Sequence, residues 1–182
     1  MSMAHLEQNE IMLVRKLRKA GLLEEVKNSL IDLHAGVIMV SCADGDQMSD
    51  VFKTQAHWVE HQRRDPRIHL LALNGGAIQL APDSPTNKSD GEDRVLLKHV
   101  LDAVKLKNIQ TVVLYAHAPC GIAKAFNLNL LEEIDLLTAA QRFLKEKNPE
   151  LQITSFLHVD KGEAGKRTYF VSEKKWREYR KK

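Results

Sequence analysis

The chain has 182 residues, 43% of them hydrophobic, which suits one ordinary globular domain rather than a disordered or fibrous chain. Its 27 basic residues nearly balance 24 acidic ones, and a net charge of +3 makes no chain-wide electrostatic case for a nucleic-acid binder. Two cysteines in this length exclude a disulfide framework, and no stretch approaches the length that spans a bilayer. With Glu7, Glu10, Arg15 and Lys16 where a signal peptide needs an apolar segment, a cytoplasmic, reducing location is expected, with no membrane partner.

Helical and strand patterns alternate along the chain, so crossover units feeding a largely parallel sheet are expected. Within residues 1–35, Ile11, Leu13, Val14, Leu17, Leu22, Leu23, Val26, Leu30 and Ile31 recur at helical spacing. Gly21 interrupts them, which predicts two N-terminal helices. Gly36-Val37-Ile38-Met39-Val40-Ser41 is a continuous apolar run, the signature of a strand buried on both faces, and it delivers Cys42. A helix over about 48–62 follows, then a strand from Ile68 to Leu73 that ends in Asn74-Gly75-Gly76. Residues 81–93, with Pro82, Pro85 and Gly91, read as an exposed loop. Val95, Leu96, Val100, Leu101, Val104 and Leu106 form an amphipathic helix leading into a third strand, Thr111 to Ala116, which ends at His117. A helical region over 122–147 and a fourth strand over 151–159 come next. Lys161-Gly162-Glu163-Ala164-Gly165 then predicts a hairpin turn into an antiparallel edge strand over 168–171. The basic end at 172–182, with Trp176 and Tyr179 among six lysines and arginines, reads as a solvated helix face or tail rather than a nucleic-acid surface. The expected fold is therefore a single α/β domain over 1–182, a four-stranded parallel sheet over 36–171 with one antiparallel edge strand, flanked by helices.

The only two cysteines stand in Ser41-Cys42-Ala43-Asp44 and His117-Ala118-Pro119-Cys120-Gly121, each at the end of a predicted strand. Two thiolates and an imidazole are donors that Zn2+ prefers, and a catalytic site combines three protein ligands with one open position. The His-x-x-Cys spacing is weak alone, but ligands of open parallel sheets collect beyond the carboxyl ends of strands, where these residues fall. The plainer alternative makes Cys42 and Cys120 small buried hydrophobes and His117 a hydrogen-bonded core histidine. A rival motif, His57-Trp58-Val59-Glu60-His61, spells the H-x-x-E-H pattern of an inverted zinc peptidase. It lies in a small crossover unit that runs into the charged Gln62-Arg63-Arg64-Asp65-Pro66, so an exposed helix with incidental histidines is expected. Gly75, Gly76 and Gly121 would let backbone approach a small substrate closely, or else serve as turn and helix-start residues.

These segments resemble the β-class carbonic anhydrases, whose hallmark is a Cys-x-Asp-x-Arg segment after the first core strand and His-x-x-Cys-Gly after the third. Here they read Cys42-Ala43-Asp44-Gly45-Asp46 and His117-Ala118-Pro119-Cys120-Gly121, with the glycine-rich turn Asn74-Gly75-Gly76 between them. The likeness spans about 36–171. It implies zinc on Cys42, His117 and Cys120, Asp44 as the catalytic acidic partner near the fourth position, and a homodimer or higher homo-oligomer paired across the sheet edge. It implies reversible hydration of carbon dioxide to bicarbonate by hydroxide formed on the metal, with hydrolysis of carbonyl sulfide or carbon disulfide as a neighbouring activity. One departure matters: the family's arginine falls at Asp46. Without that cation Asp44 is free to become the fourth ligand, which would leave a non-catalytic zinc protein. Arg94, Lys124 or Arg67 would have to replace the cation through folding.

Overall fold

A computed structural model describes residues 5–27, 31–62, 65, 67–87 and 91–182. Its centre is a six-stranded mixed sheet in the order β1-β6-β5-β4-β2-β3. β2 (Val37–Cys42), β3 (Ile68–Leu73), β4 (Thr111–Ala118) and β5 (Gln152–Asp160) run parallel. β6 (Lys166–Val171) returns antiparallel to β5, and β1 (Leu23–Glu25) adds antiparallel to β6 at the far edge.

The continuous apolar runs behave as expected for inner strands: all six residues of β2 and all eight of β4 are buried. Alternation divides them between two cores. Ile38, Val40, Val112, Leu114, Ala116 and Ala118 join one core with buried residues of α1 (Gln8–Lys19), α3 (Glu92–Lys107) and α5 (Leu130–Lys147). Val37, Met39, Val113 and Tyr115 face the opposite side, with Val51 and Val59 of α2 (Gly45–Glu60) and Phe156. Helices on both faces follow from right-handed crossovers leaving β2 in one direction through α2 and returning across it through α3. At the carboxyl ends, α2 leaves β2 over one face while α4 (Gly121–Ala125) and α5 leave β4 over the other, so the connections part between these neighbouring strands, where open α/β sheets collect ligands.

Several expectations change. The second N-terminal helix is replaced by β1: α1 stops at Lys19, Gly21 takes a left-handed φ of 69°, and Leu22 N–H bonds back to Leu17. Leu23 then pairs with Val171, because β6 offers an open edge that helical spacing could not reveal. The strand count is thus six instead of five. The 122–147 region is two helices, α4 (Gly121–Ala125) and α5, the latter capped by Asn129, whose side chain accepts from Leu131 and Glu132 N–H. A short 3-10 turn (Gly76–Leu80) follows β3. The C-terminal stretch is α6 (Glu173–Arg180), docked through buried Trp176, whose Nε1 donates to Asp135 at 2.8 Å. Leu30, Arg63, Arg64, Pro66 and residues 88–90 of the predicted loop lie outside the described residues.

Candidate metal centre

Cys42 ends β2, His117 is the penultimate residue of β4, and Cys120 immediately precedes α4. Their ligand atoms lie within 4.8 Å of one another, the only such three-residue group of histidine, cysteine and carboxylate donors among the described residues. By strand alternation His117 continues the Tyr115 face, which packs on α2, while Cys42 continues the Val40 face beneath α1, α3 and α5. The donors therefore converge at the sheet's rim from both of its faces. All three are at least nine-tenths buried.

The turn after β3 builds the floor. Gly75, at φ 86°, points its N–H at Cys42 Sγ, 3.2 Å away. Gly76, at φ 56°, runs so close to β2 that a Cβ there would lie 2.3 Å from the Cys42 nitrogen and 2.5 Å from the Ser41 carbonyl carbon. Gly121 is different: a Cβ at this position meets nothing within 4 Å, so its role is a helix start without a steric demand.

Asp44 is the N-cap of α2. Its Oδ1 accepts from Asp46 N–H at 2.9 Å, and its Oδ2 lies 3.9 Å from His117 Nε2. Asp44 stands outside the three-donor group. Among the described residues no lysine or arginine pairs with it. Arg67 cannot do so, since its guanidinium bonds to the Ala35 and Lys107 carbonyls at the opposite end of the sheet.

The cluster fits a soft divalent cation. Both ring nitrogens of His117 are buried without a hydrogen-bond partner, an arrangement that is costly unless a ligand engages one of them. Contact with the Cys120 thiol holds the Cys42 thiol below the usual range, helped against burial by the nearby His117 and by Gly75 N–H. The same contact, then burial, pushes Cys120 up. A cation held by both sulfurs would take them as thiolates and release their protons.

Other candidates fall away from this centre. His57 and His61 lie on the exposed side at the end of α2, their Nε2 atoms 3.0 Å apart across one turn, with Glu60 also exposed. His158 lies on β5, between β4 and β6, and its buried imidazole meets Thr168 Oγ1 through Nδ1 at 2.9 Å. Two groups near the centre had no legible motif. Glu133 of α5 is 5% exposed with Oε2 unpartnered, and burial first, then the charges of Glu10 and Cys42, raise its carboxyl well above the usual range. Gln47, one turn beyond Asp44, donates to Asp160 Oδ2 at 3.0 Å.

Fold and site together define a three-layered α/β protein with a buried Cys2His cluster at the switch point of its sheet. Compared with known proteins, the chain matches no family model and no curated protein. No helix among the described residues is long and apolar enough to cross a membrane.

Proposed function

We propose that the cluster binds zinc and that the protein is a carbonic-anhydrase-like enzyme hydrating carbon dioxide reversibly to bicarbonate. The observation that carries this reading is the convergence of Cys42, Cys120 and an otherwise unpartnered His117 beside a carboxylate that is not itself part of the donor set. Zinc lowers the pKa of a bound water from 15.7 toward about 7, as established for carbonic anhydrases, and so supplies a nucleophilic oxygen at neutral pH; two thiolates temper that effect.

Each residue then has a task. Cys42, His117 and Cys120 hold the metal. Gly75 N–H donates to the Cys42 sulfur and fixes its direction. The helix cap occupies Asp44 Oδ1, leaving Oδ2 on the His117 side to accept a proton or hydrogen bond from the attacking oxygen. The depth of the donors favours a small linear substrate, and carbonyl sulfide or carbon disulfide would meet the same groups. Homodimerisation across the outer strand is part of the proposal: β3 is the sheet edge, with Leu70 and Leu73 36% and 39% exposed.

A second reading rests on the missing cation beside Asp44: the carboxylate swings onto zinc and closes the site. Stopped-flow hydration of carbon dioxide by the zinc-loaded protein separates the two. Turnover that disappears in Asp44→Ala supports the enzyme. A silent protein that gains turnover on Asp46→Arg supports the closed site, and full activity in Cys42→Ser protein without zinc would remove the metal from the reaction.

A further inference from the structure

Asp44 is held in place without an arginine two residues on, and the chain of bonds that holds it runs through the Asp46 backbone. Asp46 N–H donates to Asp44 Oδ1 at 2.9 Å, and Asp46 C=O accepts from Lys166 Nζ at 2.5 Å. Lys166, the first residue of β6, also donates to Asp50 Oδ2 at 2.9 Å and lies 3.6 Å from Asp160 Oδ2. Asp160, the last residue of β5, accepts from Gln47 Nε2 through one oxygen and from Gly162 N–H, at 2.9 Å, through the other. The β5–β6 hairpin therefore grips the first two turns of α2 at residues 46, 47 and 50. Asp160 and Lys166 are cross-strand partners in the hairpin ladder, so the two charges arrive pre-aligned. Their side chains are 7% and 24% exposed, which shields the contact from solvent more than a surface pair.

We infer that Lys166, braced by Asp160, is the positioning residue that holds the first turn of α2, and with it Asp44, beside the Cys42, His117 and Cys120 cluster. This rests on the reading of Asp44 as the proton acceptor of the centre. Only the backbone of Asp46 takes part, so its carboxylate side chain is compatible with a working site. The coupling runs through the helical backbone of residue 46: Lys166 holds its carbonyl, its N–H, on the preceding peptide unit, holds Asp44 Oδ1, and Oδ2 is left on the His117 side.

Amide hydrogen exchange of the whole protein, resolved by NMR, tests the relay without metal or carbon dioxide. A silent hydration assay and an unmoved Asp46 amide are thus separate failures. Lys166→Met should speed exchange at the Asp46 amide about tenfold, the scale of losing a charge-assisted hydrogen bond, while Val113 in the central strand keeps its protection. Lys166→Arg should restore slow exchange, and Lys53→Met, which removes a lysine charge from α2 itself outside the clamp, should leave it slow. An Asp46 amide unchanged in Lys166→Met, though accelerated by Asp44→Ala, overturns the inference. So does equal acceleration by Lys53→Met. If Lys166→Met also lowers Val113 protection, Asp50→Asn removes one leg of the clamp with the hairpin intact: faster exchange at Asp46 supports the relay, and unchanged exchange overturns it.

Discussion

A methyl group at position 76 would sit 2.3 Å from the Cys42 nitrogen on a backbone already at positive φ. Gly76→Ala should therefore destabilise the protein by about 2 kcal/mol or more, measured by urea unfolding, and should displace Cys42 from the cluster. Cys42→Ser and Cys120→Ser each remove one of two soft donors, and metal content after dialysis should fall from near-stoichiometric to trace for both. Glu133 makes a different prediction. Its carboxyl is raised by burial, so the folded protein prefers it neutral while the unfolded chain ionises it near 4.5. Its contribution is fully present below that pH and is lost as pH rises through the folded value. Glu133→Gln cannot ionise, so at pH 8 it should unfold at a higher urea concentration than the wild type, with the gap closing toward pH 4.5. An equal gap at both pH values would contradict this account.

At the level of elements, the parallel strands were readable because burial on both faces leaves an unbroken apolar run, as in β2 and β4. β1 was not: Leu22 and Leu23 also satisfy a helical period, and a three-residue strand exists only because β6 presents an edge to it. At α6 the sequence left a solvated helix or a tail open, and a docked helix was not legible. Its basic side chains find acidic partners within the chain, Lys175 on Glu24 and Arg180 on Asp135, each at 2.8 Å. Its anchor is Trp176, 2% exposed. Trp176→Ala should cost about 3–5 kcal/mol, far more than Lys175→Ala, whose exposed pair adds at most about 1 kcal/mol; chemical denaturation of both variants checks the ranking.

For the whole molecule, the sheet ends asymmetrically. β1 closes one side with three residues, whereas β3 leaves the other open along six, with leucines exposed on it. The proposed homodimer predicts that the 20.7 kDa chain elutes with twice its mass in light-scattering chromatography, and that Leu70→Lys converts it to monomer. A wild-type monomer at every concentration would remove the partner from the proposed site.

Strand ends in a parallel sheet share one rim and the apolar runs marked where those ends fall, so Cys42, His117 and Cys120 were legible as one candidate cluster, and the structure brings them together. Asp44 entered only through the resemblance to the β-class carbonic anhydrases, while its cap geometry follows from an aspartate at a helix start. What holds Asp44 was invisible in one dimension: Lys166 and Asp160 reach α2 from a hairpin more than a hundred positions away, and no periodicity encodes a contact between two polar side chains. Burial of Glu133 was hidden for the same reason, since a carboxylate in the first turn of a helix is ordinarily solvated. Backbone pattern follows from the order of residues, whereas the company a charged group keeps depends on how distant elements pack.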